Sequence, residues 1–293
     1  MSQYEANSLS VNSSILSAIK GIELKAKHMV EEQLIGNYRS HFKGTGISFA
    51  DLRQYNPGDE VRHIHWKASA RSKKTFVKTY QEERQLSVMT LLDVSNSMSS
   101  QGENPLMQRA IELSALVAFL ARAHGDLLGL CKFSSSVSTF LPCSNRRNHF
   151  YRLLHELVEV PPQSASFTNL ADTLVTARHR LRRRTLLFII SDFFCPDFGE
   201  ELKRLARGHD CVCCFLPHTL PLKACGLVRM RDSETDEIFL VDTSSKKVRK
   251  KINDQLKKHE EKVRAVSQQA GADFFVLDSD VAGSLRTFMQ RRK

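Results

Sequence analysis

Residues 86–97, LSVMTLLDVSNS, form a short apolar run closed by Asp93. An unbroken apolar run of this length predicts a β-strand buried on both faces. Residues 185–192, TLLFIISD, repeat the pattern and also end in Asp. Between and around them strands alternate with helices. The spacing predicts helices over 105–123, 146–158, 169–181 and 200–206. It predicts strands at DLLGLCKFS (126–134), VSTFLPC (137–143) and DCVCCFLP (210–217). Further on, 227–242 reads as a hairpin, 245–270 as a long charged helix, ADFFVLD (272–278) as a strand and 283–291 as a last helix. Strands alternating with helices make an α/β domain with a doubly wound, mostly parallel sheet flanked by helices. Such sheets bind ligands at the carboxyl ends of their strands.

That rule directs attention to the two aspartates. In Asp93-Val94-Ser95-Asn96-Ser97, alternate positions carry a carboxylate and two hydroxyls. These are hard oxygen donors, suited to Mg²⁺, or to Mn²⁺ or Ca²⁺ in its place. Thr168 stands just before the helix TNLADTL, and Asp192 ends its strand. Both are expected on the same sheet edge as Asp93, so five oxygen donors would converge from separate segments. The competing reading is a tight turn, which Asp, Ser and Asn also favour.

The order D-x-S-x-S, then Thr, then Asp at a strand end resembles the metal-ion-dependent adhesion site of von Willebrand factor A domains. The resemblance implies that Ser95, Ser97 and Thr168 touch the metal, that Asp93 and Asp192 act mostly through water, and that a partner's carboxylate completes the shell. The preceding segment, GTGISFADLRQYNPGDEVRHIHWKASAR (44–71), resembles the signature of the domain of unknown function 58 family, which precedes such a domain. His65 departs from it, standing where R-x-I-D-W has Asp. Of the signature residues Arg53, Tyr55, Pro57, Gly58, Asp59, Arg62, Trp66 and Arg71, the charged ones can tie an irregular segment down through charge-assisted hydrogen bonds. Trp66 can fill a large apolar slot. His63 and His65 alternate, so on a strand both would face one side, as metal ligands or in the favoured surface or packing role. A short strand is expected near 76–80, and Asn56-Pro57-Gly58-Asp59 is a turn. A helix is expected over Ser14–Glu32. The chain thus reads as an N-terminal helix with a signature extension packed on the core (1–85), followed by the A-like domain (86–293).

The family implies a partnership with a MoxR-type AAA+ ATPase, in which the A domain recruits what the ATPase remodels. No G-x-x-x-x-G-K-[ST] loop occurs here, so any ATP hydrolysis belongs to the partner. Two other classes compete. A phosphohydrolase would use Asp93 as nucleophile but wants an acid two residues on, where Ser95 stands. A nucleic-acid binder would use the net charge of +11, concentrated in Arg178–Arg184, Lys246–Lys251 and Arg291–Lys293, but these patches lack interleaved aromatics. No apolar run spans a bilayer and the N-terminus lacks a signal-peptide layout, so the expectation is a cytoplasmic protein, with peripheral membrane association through a partner left open. The seven cysteines show no disulfide or zinc spacing, and CVCCFL reads as a buried strand using cysteine as a small hydrophobe.

Overall fold

A computed structural model of the 293-residue chain describes Gly21, 48–72, 74–81, 85–99, 106–159, 168–218, 226–231 and 238–292. Of the helix expected over 14–32, only Gly21 falls among these residues, and it is helical. The rest of that helix lies outside the described residues. The chain divides into two compact units, Phe42–Leu86 being one and Ser87–Lys293 the body of the other.

In the smaller unit, β1 (Ser48–Gln54) pairs antiparallel with β2 (Phe76–Gln81). The turn expected at 56–59 is present: Asp59 N–H reaches Asn56 O at 3.1 Å, and Gly58 takes φ +109. Half-buried Tyr55 gives its N–H to Thr75 O at 2.9 Å. Arg53 clamps Asp59 through two hydrogen bonds of 2.8 and 2.6 Å. The guanidinium holds the Asp59 carboxyl below its ordinary pKa. Arg62 instead pairs with Glu60, at 2.5 and 2.8 Å, and Arg71 lies exposed in the last turn of α1 (Trp66–Ser72).

Two expectations are corrected here. Trp66 fills no slot; it is 68% exposed at the start of α1. His63 and His65 do not share a strand face. His63 ends a short 3-10 turn, Val61–His63, and His65 caps α1. The cap explains the second outcome. Ala68 N–H donates to His65 Nδ1 at 3.0 Å, the bond an N-cap side chain makes to the third helical residue. His65 thus starts a helix.

The larger unit holds a six-stranded sheet in the order β10-β7-β6-β3-β4-β5. Its strands are β3 (Ser87–Asp93), β4 (Leu127–Phe133), β5 (Val137–Ser144), β6 (Leu186–Ser191), β7 (Asp210–Phe215) and β10 (Asp273–Val276). All neighbours run parallel except β5, which folds back on β4. This is the expected mostly parallel α/β fold. Every residue of β3 and β6 is buried, as predicted for strands covered on both faces. The helices are α2 (Leu106–Ala123), α3 (Arg147–Val158), α4 (Leu170–Arg180), α5 (Gly199–Ala206), α6 (Lys246–Gln269) and α7 (Val281–Arg291). Asn169, Ser245 and Asp280 cap α4, α6 and α7 with side-chain oxygens. The expected hairpin is present as β8 (Leu227–Arg231) and β9 (Ile238–Asp242).

β7 confirms the reading of CVCCFL. Cys211, Cys213 and Cys214 are buried, and burial pushes their thiols well up, Cys213 to about 12. They pack as small apolar groups. On β4, Lys132 is buried and donates to Glu156 O at 2.8 Å and Glu159 O at 2.9 Å. It also pairs with the Glu156 carboxylate at 2.9 Å. One ammonium thereby closes the carbonyl end of α3, where the helix dipole favours a cation.

Candidate functional site

β3 and β6 are neighbours with Leu92 opposite Ile190, so Asp93 and Ser191 stand side by side one residue further along. Their side chains therefore project from the same face. Ser191 Oγ donates to Asp93 Oδ2 at 2.6 Å and accepts from Phe193 N–H at 2.8 Å. The other Asp93 oxygen accepts Ser95 N–H at 2.9 Å. This turn brings the Ser95 and Ser97 hydroxyls to 3.0 Å from each other. Asp93, Ser95 and Ser97 thus form one buried cluster, with exposures of 0%, 2% and 4%.

Asp192 follows Ser191 at the end of β6 and is fully buried. Its Oδ1 accepts Phe194 N–H at 3.1 Å, and its Oδ2 accepts from His218 Nε2 at 2.8 Å. Its backbone carbonyl accepts from His259 Nε2 at 2.9 Å. The Phe194 ring stacks on His259 with centroids 3.9 Å apart and meets His218 edge-on at 5.3 Å. Phe193 adopts φ 56, a left-handed backbone uncommon for a bulky residue. Its buried ring packs against Phe198 and Phe215, which holds the conformation in place.

Burial, and then the nearby charge of Asp192, push the Asp93 carboxyl up to about 7; bonds from Ser191 and Ser95 offset part of this. Burial lowers His259, so it donates as a neutral ring. Thr168 is buried at the mouth of α4. The adjacent Asn169 N–H donates to Ser134 O at 2.8 Å, just past the end of β4. That anchors Thr168 to the same carboxyl edge, although the bonds that tie the cluster together run among Asp93, Ser95, Ser97 and Ser191.

The arrangement has the donor chemistry of a hard-cation site. Two buried carboxylates lie close enough to repel, beside aligned hydroxyls, and a divalent cation would neutralise that charge. Among the described residues no group of three His, Cys, Asp or Glu side chains is placed to hold a metal. The sequence reading missed Ser191, His218 and His259. The carboxyl-edge rule could have flagged His218, which lies just beyond β7. Nothing in the sequence pointed to His259.

Residues 51–262 match the family model described as protein of unknown function DUF58. A relative from Mycobacterium tuberculosis strain H37Rv, "Uncharacterized protein Rv1480", is 27% identical over 236 residues, covering 78% of this chain and 74% of the relative. Among solved structures, conserved hypothetical protein BatB from Bacteroides thetaiotaomicron aligns with a TM-score of 0.49 at 16% identity, over 71% of this chain and 98% of that one. An aerotolerance-related membrane protein from Bacteroides fragilis gives 0.48 at 16% identity, with the same coverage. The SpRpn10 VWA domain gives 0.35 at 15% identity, over 46% and 77%. Among the described residues no helix is long and apolar enough to cross a membrane.

Proposed function

The chain belongs to the DUF58 family, and we propose that it is a metal-dependent protein-binding module rather than an enzyme. One observation carries the reading: Asp93, Ser95, Ser97 and Asp192 are buried together at the carboxyl edge of a parallel sheet. Ser95, Ser97 and Thr168 would hold the ion directly, with Asp93 and Asp192 behind them. Mg²⁺, or Mn²⁺ or Ca²⁺, would supply an open position for a carboxylate of the partner. The chain's own groups do the rest. Ser191 fixes one oxygen of Asp93, Ser95 N–H fixes the other, and His218 orients Asp192.

The partner we propose is a MoxR-type AAA+ ATPase, or a protein it acts on, that presents an acidic side chain. Exposed basic residues at the start of α6 would steer it electrostatically. We place this work in the cytoplasm. The described cysteines are all free thiols, which suits a reducing compartment. A phosphohydrolase using Asp93 would need an acid at Ser95, and a hydroxyl cannot fill that role.

Calorimetric titration of Mg²⁺ and Mn²⁺ into the wild type and the double variant Ser95→Ala/Ser97→Ala tests the metal. Capture of the ATPase with and without chelator tests the partnership. Metal affinity and capture should both fall in the variant while the circular dichroism spectrum holds. Unchanged affinity in the variant would sink the proposal, as would capture indifferent to chelator.

A further inference from the structure

We propose that the outer edge of β10 is a docking slot for an extended, acidic peptide segment of a partner protein, which would lengthen the sheet by one strand. This goes beyond the metal reading and does not rest on it. β10 ends the sheet, with β7 as its neighbour on one side only. Leu277 N–H donates to Phe215 O at 2.8 Å, so by strand alternation Phe275 and Asp273 also bond toward β7. The N–H and C=O groups of Phe274 and Val276 then point the other way. Among the described residues no strand meets them there.

The edge is walled on both faces. On one, the Arg264 guanidinium of α6 lies 4.5 Å over the Phe274 ring. On the other, Phe288 of α7 stacks on Phe275 at 4.7 Å. Between the helices a cleft of about 580 Å³ runs along the strand. A slot this shape, floored by backbone donors and acceptors, fits an extended chain rather than a helix or a small molecule. The edge lacks two of the usual protections. β10 is Asp-Phe-Phe-Val, with no Lys or Pro, whereas the opposite edge strand β5 carries Pro142.

Charge narrows the occupant. Exposed Arg264 on α6, which also donates to Glu260 at 2.8 Å, and exposed Arg286 and Arg291 on α7 line the cleft. Asp278 and Asp280 lie at its far end, where Asp280 caps Gly283 N–H at 2.9 Å, and Asp273 at the near end pairs with Arg292 at 3.0 Å. Side chains of an added strand point alternately toward α6 and α7, so acidic residues at successive positions meet arginines on both walls. A second copy docked edge to edge would set arginine against arginine. An acidic foreign segment is therefore the better fit.

The test uses the full chain. Hydrogen exchange on the free protein should find the Phe274 and Val276 amides fast and the Phe275 amide slow. A fluorescein-labelled peptide VEDVEDV should then bind saturably, with or without chelator, and slow both exposed amides. N-methylation of alternate peptide bonds, or the reversed-charge peptide VKKVKKV, should weaken binding by roughly tenfold or more. The surface double variant Arg286→Glu/Arg291→Glu should do the same. The proposal fails if those two amides are already slow in the free chain. It also fails if N-methylation leaves affinity unchanged, or if no saturation appears by about 1 mM peptide.

Discussion

Asp192 is gripped at its carboxylate by His218 and at its carbonyl by His259. Neither histidine is a proposed metal ligand, yet the first sets where the carboxylate points. We expect His218→Ala to lower Mg²⁺ affinity by roughly tenfold, the usual scale for an outer-shell partner, with the fold intact. His218→Asn, which keeps a donor, should recover part of it; calorimetry checks both. Asp93 gives a pH signature. Its folded pKa is raised to about 7 from 3.8, so between those values the folded state holds the proton more tightly than the unfolded state. The contribution is full below the unfolded value and is lost as pH rises through the folded one. In chelator, the melting temperature of the wild type should therefore fall relative to Asp93→Asn between pH 4 and 7. Mg²⁺ should reverse the loss at and above pH 7. Thermal melts across that range decide it. The sequence exposed Asp93, Ser95, Ser97 and Asp192 because polar residues closing an apolar strand are a local signal. Ser191 and His259 escaped because their roles depend on contacts 98 and 67 residues away in sequence.

Elements were legible where one period ruled. β3, β6 and the capped helices α4, α6 and α7 follow apolar spacing and cap chemistry closely. The stretch Arg62–Trp66 was less legible, because its alternating histidines leave the local structure open until a single side-chain cap makes it a helix start. His65→Ala should cost about 1 kcal/mol in the stability of the smaller unit, and His65→Asp should preserve it, since Asp is the stronger cap. Urea unfolding of the two variants separates these outcomes. α3 depends on a different device. Lys132→Met leaves its terminal carbonyls and the Glu156 carboxylate without their cation, and should cost about 3 kcal/mol by chemical denaturation. A loss under about 1 kcal/mol would mean that water replaces the ammonium readily.

At the scale of the whole molecule, the apolar strands and the alternation of strands with helices were readable, whereas the two compact units, one of them Phe42–Leu86, are a property of long-range contacts. The larger unit contains its own sheet, core and candidate site. A fragment spanning Ser87–Lys293 should therefore melt cooperatively and keep the circular dichroism signature of a mixed α/β domain. A non-cooperative melt would show that residues before Ser87 complete its core.

The pairing of β3 with β6 has a consequence for how this chain can change over time. Ser191 meets Asp93 only because Leu92 faces Ile190. Deleting one residue from Leu186–Ser191 would bring Asp192 level with Asp93, setting one anion against another where a hydroxyl now mediates. Divergence by substitution stays open along this strand, but changes of length do not. Homologues that keep the site should vary in the composition of this stretch and hold its residue count fixed.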